Sequence, residues 1–334
     1  MALTAIPVGF VAGLFGIGGG LITVPFLFYI FNSLGIDQQY VMHLAVGTSF
    51  AIIIPTSTVS VLTHHKFKAV DFDIVKSYGI FVVLGVIFGT IFAATLKTKT
   101  LVLFFAIVIF LLSIYLLLLK EKEKNITLKI KLHLKIILGF LVGFISAPMG
   151  IGGAVMNVPI LKFFGYSINR AIGSAAAIGF LIALFGAIGF LITGSYLKTN
   201  IPLSIGFLNI PAFLIFIPIT TFMARIGART VHTIDKNKIS KYFGMFLLVI
   251  SGLAIGIFKT GALALIGDIS DSTASHTKTM NLAEGFFGIG AIIGPFIVTY
   301  LLTSGVSWKY LYVFAGGICI LLCLIGAAAE SLRL

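Results

Sequence analysis

Apolar stretches of twenty residues or more follow one another along the whole chain, and that feature decides its solvent. A run of this length crosses roughly 30 Å of bilayer hydrocarbon as a helix. Ten spans can be read, at about 5–31, 43–63, 76–96, 100–119, 134–163, 170–194, 201–224, 241–267, 280–302 and 309–329. In hydrocarbon every backbone N–H and C=O needs an internal partner, which leaves helices or a closed barrel. The runs are unbroken apolar blocks rather than alternating strands of about ten residues, so a barrel is excluded. Composition agrees: 59% of residues are hydrophobic and only 10% are charged, against about 25% charged in a soluble domain. The expected class is all-α, a polytopic membrane helix bundle. No cleavable leader pattern precedes the first span, which should act as its own insertion signal.

The net charge of +13 is not a nucleic-acid signal, because the basic residues lie in short loops between apolar runs. There they favour anionic lipid headgroups. The only cysteines, Cys319 and Cys323, are four positions apart in one apolar run and read as packing residues.

The chain repeats itself. Val8–Leu27 shifted by 134 positions lies on Val142–Leu161, and ten of the twenty positions are identical: Val8, Gly9, Phe10, Gly16, Ile17, Gly18, Gly19, Val24, Pro25 and Leu27. "AVGTSFAI" at 45–52 lies on "AIGSAAAI" at 171–178, a shift of 126. The longest polar break, at 120–135, separates the copies. This predicts a first repeat at 1–119, a basic linker at 120–135, a second repeat at 136–258, and extra C-terminal spans over 259–334. Two repeats of four spans are a common construction of secondary transporters.

The duplicated phrases are "FGIGGGLITVP" from Phe15 to Pro25 and "MGIGGAVMNVP" from Met149 to Pro159. Glycine costs about 1 kcal/mol in a helix interior, so a cluster of them should interrupt the span. Proline then removes an amide donor and disfavours helix in the residue before it. Broken backbone inside a membrane is tolerated only where protein or a water-filled cavity covers it. The amides and positive dipole ends of two half-helices meeting there would suit an anion. The candidate site is therefore Gly16, Gly18, Gly19, Gly20, Thr23 and Pro25 in the first copy. In the second it is Gly150, Gly152, Gly153, Asn157 and Pro159, with the equivalent pair Thr48 and Ser174 from the next spans. The bland alternative is that these glycines only let helices pack closely.

"GLFGIGGGLITVPFL" at 13–27, "GIGGAVMNVPIL" at 150–161, "HLAVGTSFAI" at 43–52 and "GARTVHTIDKNKISKYFGMFLLVISGLAI" at 227–255 together resemble the TauE/SafE sulfite exporter family. The resemblance covers residues 1 to about 258. It implies an eight-span transporter of the cytoplasmic membrane that moves small sulfur-containing anions such as sulfite or organosulfonates. The second copy departs at Pro148 and Ala154, where the first has Leu14 and Gly20. From about residue 260 the tail, including "MNLAEGFFGIGAIIGPFIVTYLLTSGVSWKYLYVFAGGICILL", resembles a fragment of a major facilitator transporter, near its fifth and sixth spans.

The remaining polar residues read as interfacial. His43, His64 and His65 flank the second span, where they could relay protons, but their loop-edge position favours solvation at the membrane surface. Glu284 and Lys259 fit helix-start and headgroup positions. Lys162 and Arg170 serve as headgroup anchors or draw an anion toward the pore mouth. There is no Walker phosphate loop, zinc-ligand spacing or nucleophile elbow, so an enzyme, a cofactor, a metal and direct ATP drive are not expected. The expectation is a secondary transporter of a small anion, working by alternating access between two repeats, with a coupling proton or ion. A channel or cation carrier using the same breaks is the alternative, and a non-transporting scaffold is the third reading.

Overall fold

The computed structural model describes residues 2–102, 104, 105, 108, 130–197, 201–235 and 239. By contact the chain divides into two compact units, Met1–Phe258 and Lys259–Leu334, and every described residue belongs to the first. The spans expected at 241–267, 280–302 and 309–329, most of the span at 100–119 and the linker from 120 to 129 lie outside the described residues. So do Lys259, Glu284, Cys319 and Cys323.

The all-α expectation holds. The first half supplies α1 (Ala2–Phe15), α2 (Gly20–Ser33), α3 (Val41–Lys66) and α4 (Phe72–Thr95). The second supplies α5 (Leu132–Met149), α6 (Ala154–Phe163), α7 (Ile168–Tyr196), a hairpin of β1 (Ser204–Ile205) and β2 (Leu208–Asn209), and α8 (Ile210–Thr233). Five of these helices, α3, α4, α5, α7 and α8, are long and apolar enough to cross a membrane. The apolar runs at 5–31 and 134–163 are each two shorter helices joined at a break: α1 with α2, and α5 with α6.

The span expected over 201–224 begins later than its hydropathy suggests. Residues 204–209 form the hairpin, with Ser204 opposite Asn209 and Ile205 opposite Leu208. Gly206 turns the chain at φ 56°, a left-handed value that glycine adopts without a side-chain clash. Asn209 then caps α8, its side chain accepting from the Ala212 amide at 3.1 Å, and Pro211 occupies the first turn. The helix continues to Thr233.

Packing follows the repeat register. α1 lies against α8 and α4 against α5, while α3 and α7 meet at the centre. Small residues permit this: a side chain on Gly13 would collide with the Ala224 backbone, and one on Gly143 with the Val82 carbonyl. α3 is buried along most of its length and carries Thr48, Ser49, Thr56, Ser57 and Ser60 inward. The outer helices present Ile80, Phe88, Ile137, Leu141, Leu214 and Phe222 outward. An apolar belt of this kind matches hydrocarbon and would be a liability in water.

Candidate functional site

Both glycine phrases interrupt a helix. In the first, Gly16, Gly18 and Gly19 take φ of 67°, 68° and 84°; in the second, Gly150 and Gly153 take 66° and 68°. These values lie in the left-handed region, where a Cβ meets the neighbouring carbonyl, so the run needs glycine for backbone reasons alone. Gly19 and Gly153 stand at the N-cap positions of α2 and α6, and neither helix start has a side-chain cap. The first amides of each helix have no carbonyl one turn earlier to bond.

The breaks touch each other. A side chain on Gly20 would collide with the Gly150 carbonyl, and one on Gly152 would lie 3.0 Å from the Ile17 carbonyl oxygen. The central helices pack around them in matched fashion: Gly16 rests on Ile172 of α7, and Gly150 rests on Val46 of α3. Val46 and Ile172 are aligned positions in the repeat. Ser49 of α3 donates its hydroxyl to the Gly150 carbonyl at 3.0 Å.

The two prolines lie outside the breaks. Pro25 is inside α2 and Pro159 inside α6. The helices start at Gly20 and Ala154, upstream of both rings, so each proline removes the amide that would otherwise bond the Leu21 or Val155 carbonyl.

The side chains distinguish the two breaks. In the first, Thr23 is fully buried, and its hydroxyl donates back to the Gly19 carbonyl at 3.0 Å. In the second, the Asn157 side-chain oxygen accepts from the Tyr78 hydroxyl at 3.0 Å, while its Nδ2 has no partner. Ser146 Oγ, at the end of α5, is also fully buried without a partner. Both atoms border the break: a Cβ on Gly153 would lie 3.2 Å from Asn157 Nδ2 and 3.3 Å from Ser146 Oγ. Two buried donors and an uncapped helix start thus border Gly153, and the Ile182 side chain of α7 packs there too: a Cβ on Gly153 would collide with its Cδ1. Among the described residues the buried polar side chains are Ser, Thr, Asn and His, with no carboxylate and no Lys or Arg.

Thr48 and Ser174 are placed elsewhere. Thr48 Oγ1 accepts from the Asn209 amide at 2.9 Å, and Ser174 Oγ accepts from the Asp71 amide at 2.9 Å. Asn209 and Asp71 are the caps of α8 and α4, so each hydroxyl holds a helix start in the opposite half. Arg170 closes this corner by an ion pair with Asp71 at 2.9 Å, its guanidinium 5.7 Å from the Tyr166 ring centre. Burial first, then the Asp71 carboxylate, raises the pKa of the Tyr166 hydroxyl.

The structure also adds residues that sequence reasoning passed over. Tyr78 and Ser146 join Asn157 at the second break. A signal for Ser146 was present, since the repeat aligns it with Ala12. The histidine expectation is corrected for two of three positions. His65 is exposed, but His43 and His64 are buried. His43 Nε2 contacts the Ala93 carbonyl at 3.1 Å, and His64 bonds His232 across 2.9 Å. Each ring finds its partner in another helix, which hydropathy cannot reveal.

Comparison with known proteins supplies the lineage. The sulfite exporter TauE/SafE family model matches residues 1–255. The Major Facilitator Superfamily model matches residues 239–331. A probable membrane transporter protein of Haemophilus influenzae is 32% identical over 243 residues, covering 73% of this chain and 92% of that protein. One of Methanocaldococcus jannaschii is 29% identical over 255 residues, covering 75% of this chain and 91% of its own length. No solved structure matches the chain. With helices long and apolar enough to span a membrane, paired breaks at its core and a family match over three quarters of its length, the chain belongs to the TauE/SafE sulfite exporter family of multi-pass membrane transporters.

Proposed function

We propose that this protein is a secondary transporter that moves a small anion, sulfite or an organosulfur acid, across the cytoplasmic membrane by alternating access between its two halves. The observation that carries this reading is the pair of partnerless donors, Asn157 Nδ2 and Ser146 Oγ, at the uncapped start of α6. A buried donor without an acceptor costs about 1–3 kcal/mol. A negatively charged oxygen admitted beside Gly153 as the Ile182 side chain turns aside would supply what both lack, and the helix dipole has the favourable sign there.

The Tyr78 hydroxyl holds the Asn157 side-chain oxygen, which leaves the amide nitrogen to face the break. Contact between Gly20 and Gly150 closes the centre of the bundle. Access from either side therefore requires the two breaks to part, and the small residues between α1 and α8 and between α4 and α5 provide faces that can slide.

The test is flux in liposomes carrying the purified protein, over a panel of sulfite, organosulfonates, sulfate and monovalent cations. Saturable, substrate-specific uptake of sulfite or a sulfonate is expected. Conductance linear in voltage would replace this reading with a channel, and no flux of any ion would replace it with a scaffold.

A further inference from the structure

His64 and His232 meet at the far end of α1 from its N-terminus, where the last turns of α3 and α8 also arrive. His64 is fully buried. Its Nε2 lies 3.2 Å from the Gly13 carbonyl, and its Nδ1 lies 2.9 Å from His232 Nε2. His232 is partly exposed, and its ring stacks on Phe67 with centres 4.2 Å apart.

Donor and acceptor chemistry fixes the protons. A carbonyl only accepts, so His64 Nε2 must carry its proton. A neutral His64 then offers Nδ1 as an acceptor, and His232 must donate from Nε2. His232, the partly exposed member of the pair, is left with a lone pair on Nδ1. One added proton fits there while both hydrogen bonds survive. A second would have to go on His64 Nδ1, replacing the acceptor with a donor that faces another donor.

We infer that the His64–His232 pair is a binding site for one proton, the ion coupled to transport. This rests on the transporter reading above. Both residues lie in the last turns of their helices, where the dipole favours a positive charge. The link to the first break, and through the Gly20–Gly150 contact to the second, runs through Gly13, whose carbonyl is among the last four of α1 and has no partner within that helix. His64 satisfies it, three residues before the chain breaks at Gly16. Gly13 also packs on Ala224 of α8, so protonation bears on the joint of α1, α3 and α8 together.

Among the described residues the helices packed around the pair bring no other buried ionisable group to it. α1 has no ionisable side chain. On α3 and the following loop His65, Lys66 and Lys68 are exposed. On α8 and just beyond it, Arg225, Arg229 and Asp235 are exposed. From α7, Gly173 approaches His64, and Arg170 is exposed and paired with Asp71.

Two measurements test the site. In liposomes, a pH gradient should drive sulfite accumulation by the wild-type protein. His232→Gln keeps a donor to His64 but cannot take up a proton, and it should lower the ratio of pH-driven to concentration-driven flux by on the order of tenfold. An unchanged ratio would overturn the inference. If sulfite does not move at all, the transporter reading fails, and nitrogen-15 histidine spectra of the purified protein still judge the proton site. They should show His64 protonated at Nε2 only across pH 5–8, while His232 gains a proton at Nδ1. Independent titration of both rings, or of neither, would overturn it.

Discussion

Ser146 is where the two halves differ most usefully. Its aligned partner is Ala12, so the backbone at this position manages without a hydroxyl in the first half. Ser146→Ala should therefore leave folding intact and raise thermal stability by up to about 1 kcal/mol, since an unpaired buried hydroxyl is removed. The same change should raise the KM for sulfite by on the order of tenfold, because a hydrogen bond to a charged group is worth about 1.5–3 kcal/mol. Stability that falls together with affinity would make the residue structural. Gly20 and Ala154 form a second informative pair. A Cβ on Gly20 would collide with the Gly150 carbonyl of the other break, whereas Ala154 already carries one. Gly20→Ala should abolish transport while the protein still inserts, whereas Ala154→Gly should cost about 1 kcal/mol of stability and leave flux measurable. Comparing membrane abundance with initial rates checks both.

At the scale of the element, the helix starts at the two loops carry the prediction. Asp71 caps α4 and also holds Arg170, whose side chain is 49% exposed. Asp71→Ala should destabilise by about 1 kcal/mol through the lost cap. Arg170→Ala should cost less than about 1 kcal/mol, because an ion pair open to solvent contributes little. Chemical denaturation of the two variants separates cap from charge. The elements also show what a sequence can and cannot reveal. The breaks were legible because a glycine run acts on its own backbone, and the phrase occurs twice. Their ends were not, because Pro25 and Pro159 suggest an interruption that the helices absorb. The hairpin at 204–209 was missed because its residues are as apolar as a span; only Gly206 and the Asn209 cap mark it. Thr48 and Ser174 align with each other in the sequence, but their hydroxyls hold Asn209 and Asp71, contacts that run between halves. The His64–His232 bond joins residues 168 positions apart, and no local pattern announces it.

For the whole molecule, the relatives set the boundary. The Haemophilus influenzae protein is 92% covered by a match that uses 73% of this chain, so a related transporter is built from that portion. The first compact unit ends at Phe258, close to where the family match stops at residue 255. A chain truncated after Phe258 should insert, stay monodisperse in detergent and retain sulfite flux; loss of all three would tie the tail to the working protein. Within the first unit, the account depends on two broken segments that meet at the centre and offer donors to a negative charge. The most direct test is equilibrium binding of radiolabelled sulfite to purified wild-type protein and to Gly20→Ala and Ser146→Ala. Saturable binding of one anion per chain, lost in the first variant and weakened about tenfold in the second, is the predicted result. Binding that is absent, or that is indifferent to both substitutions, would contradict the account.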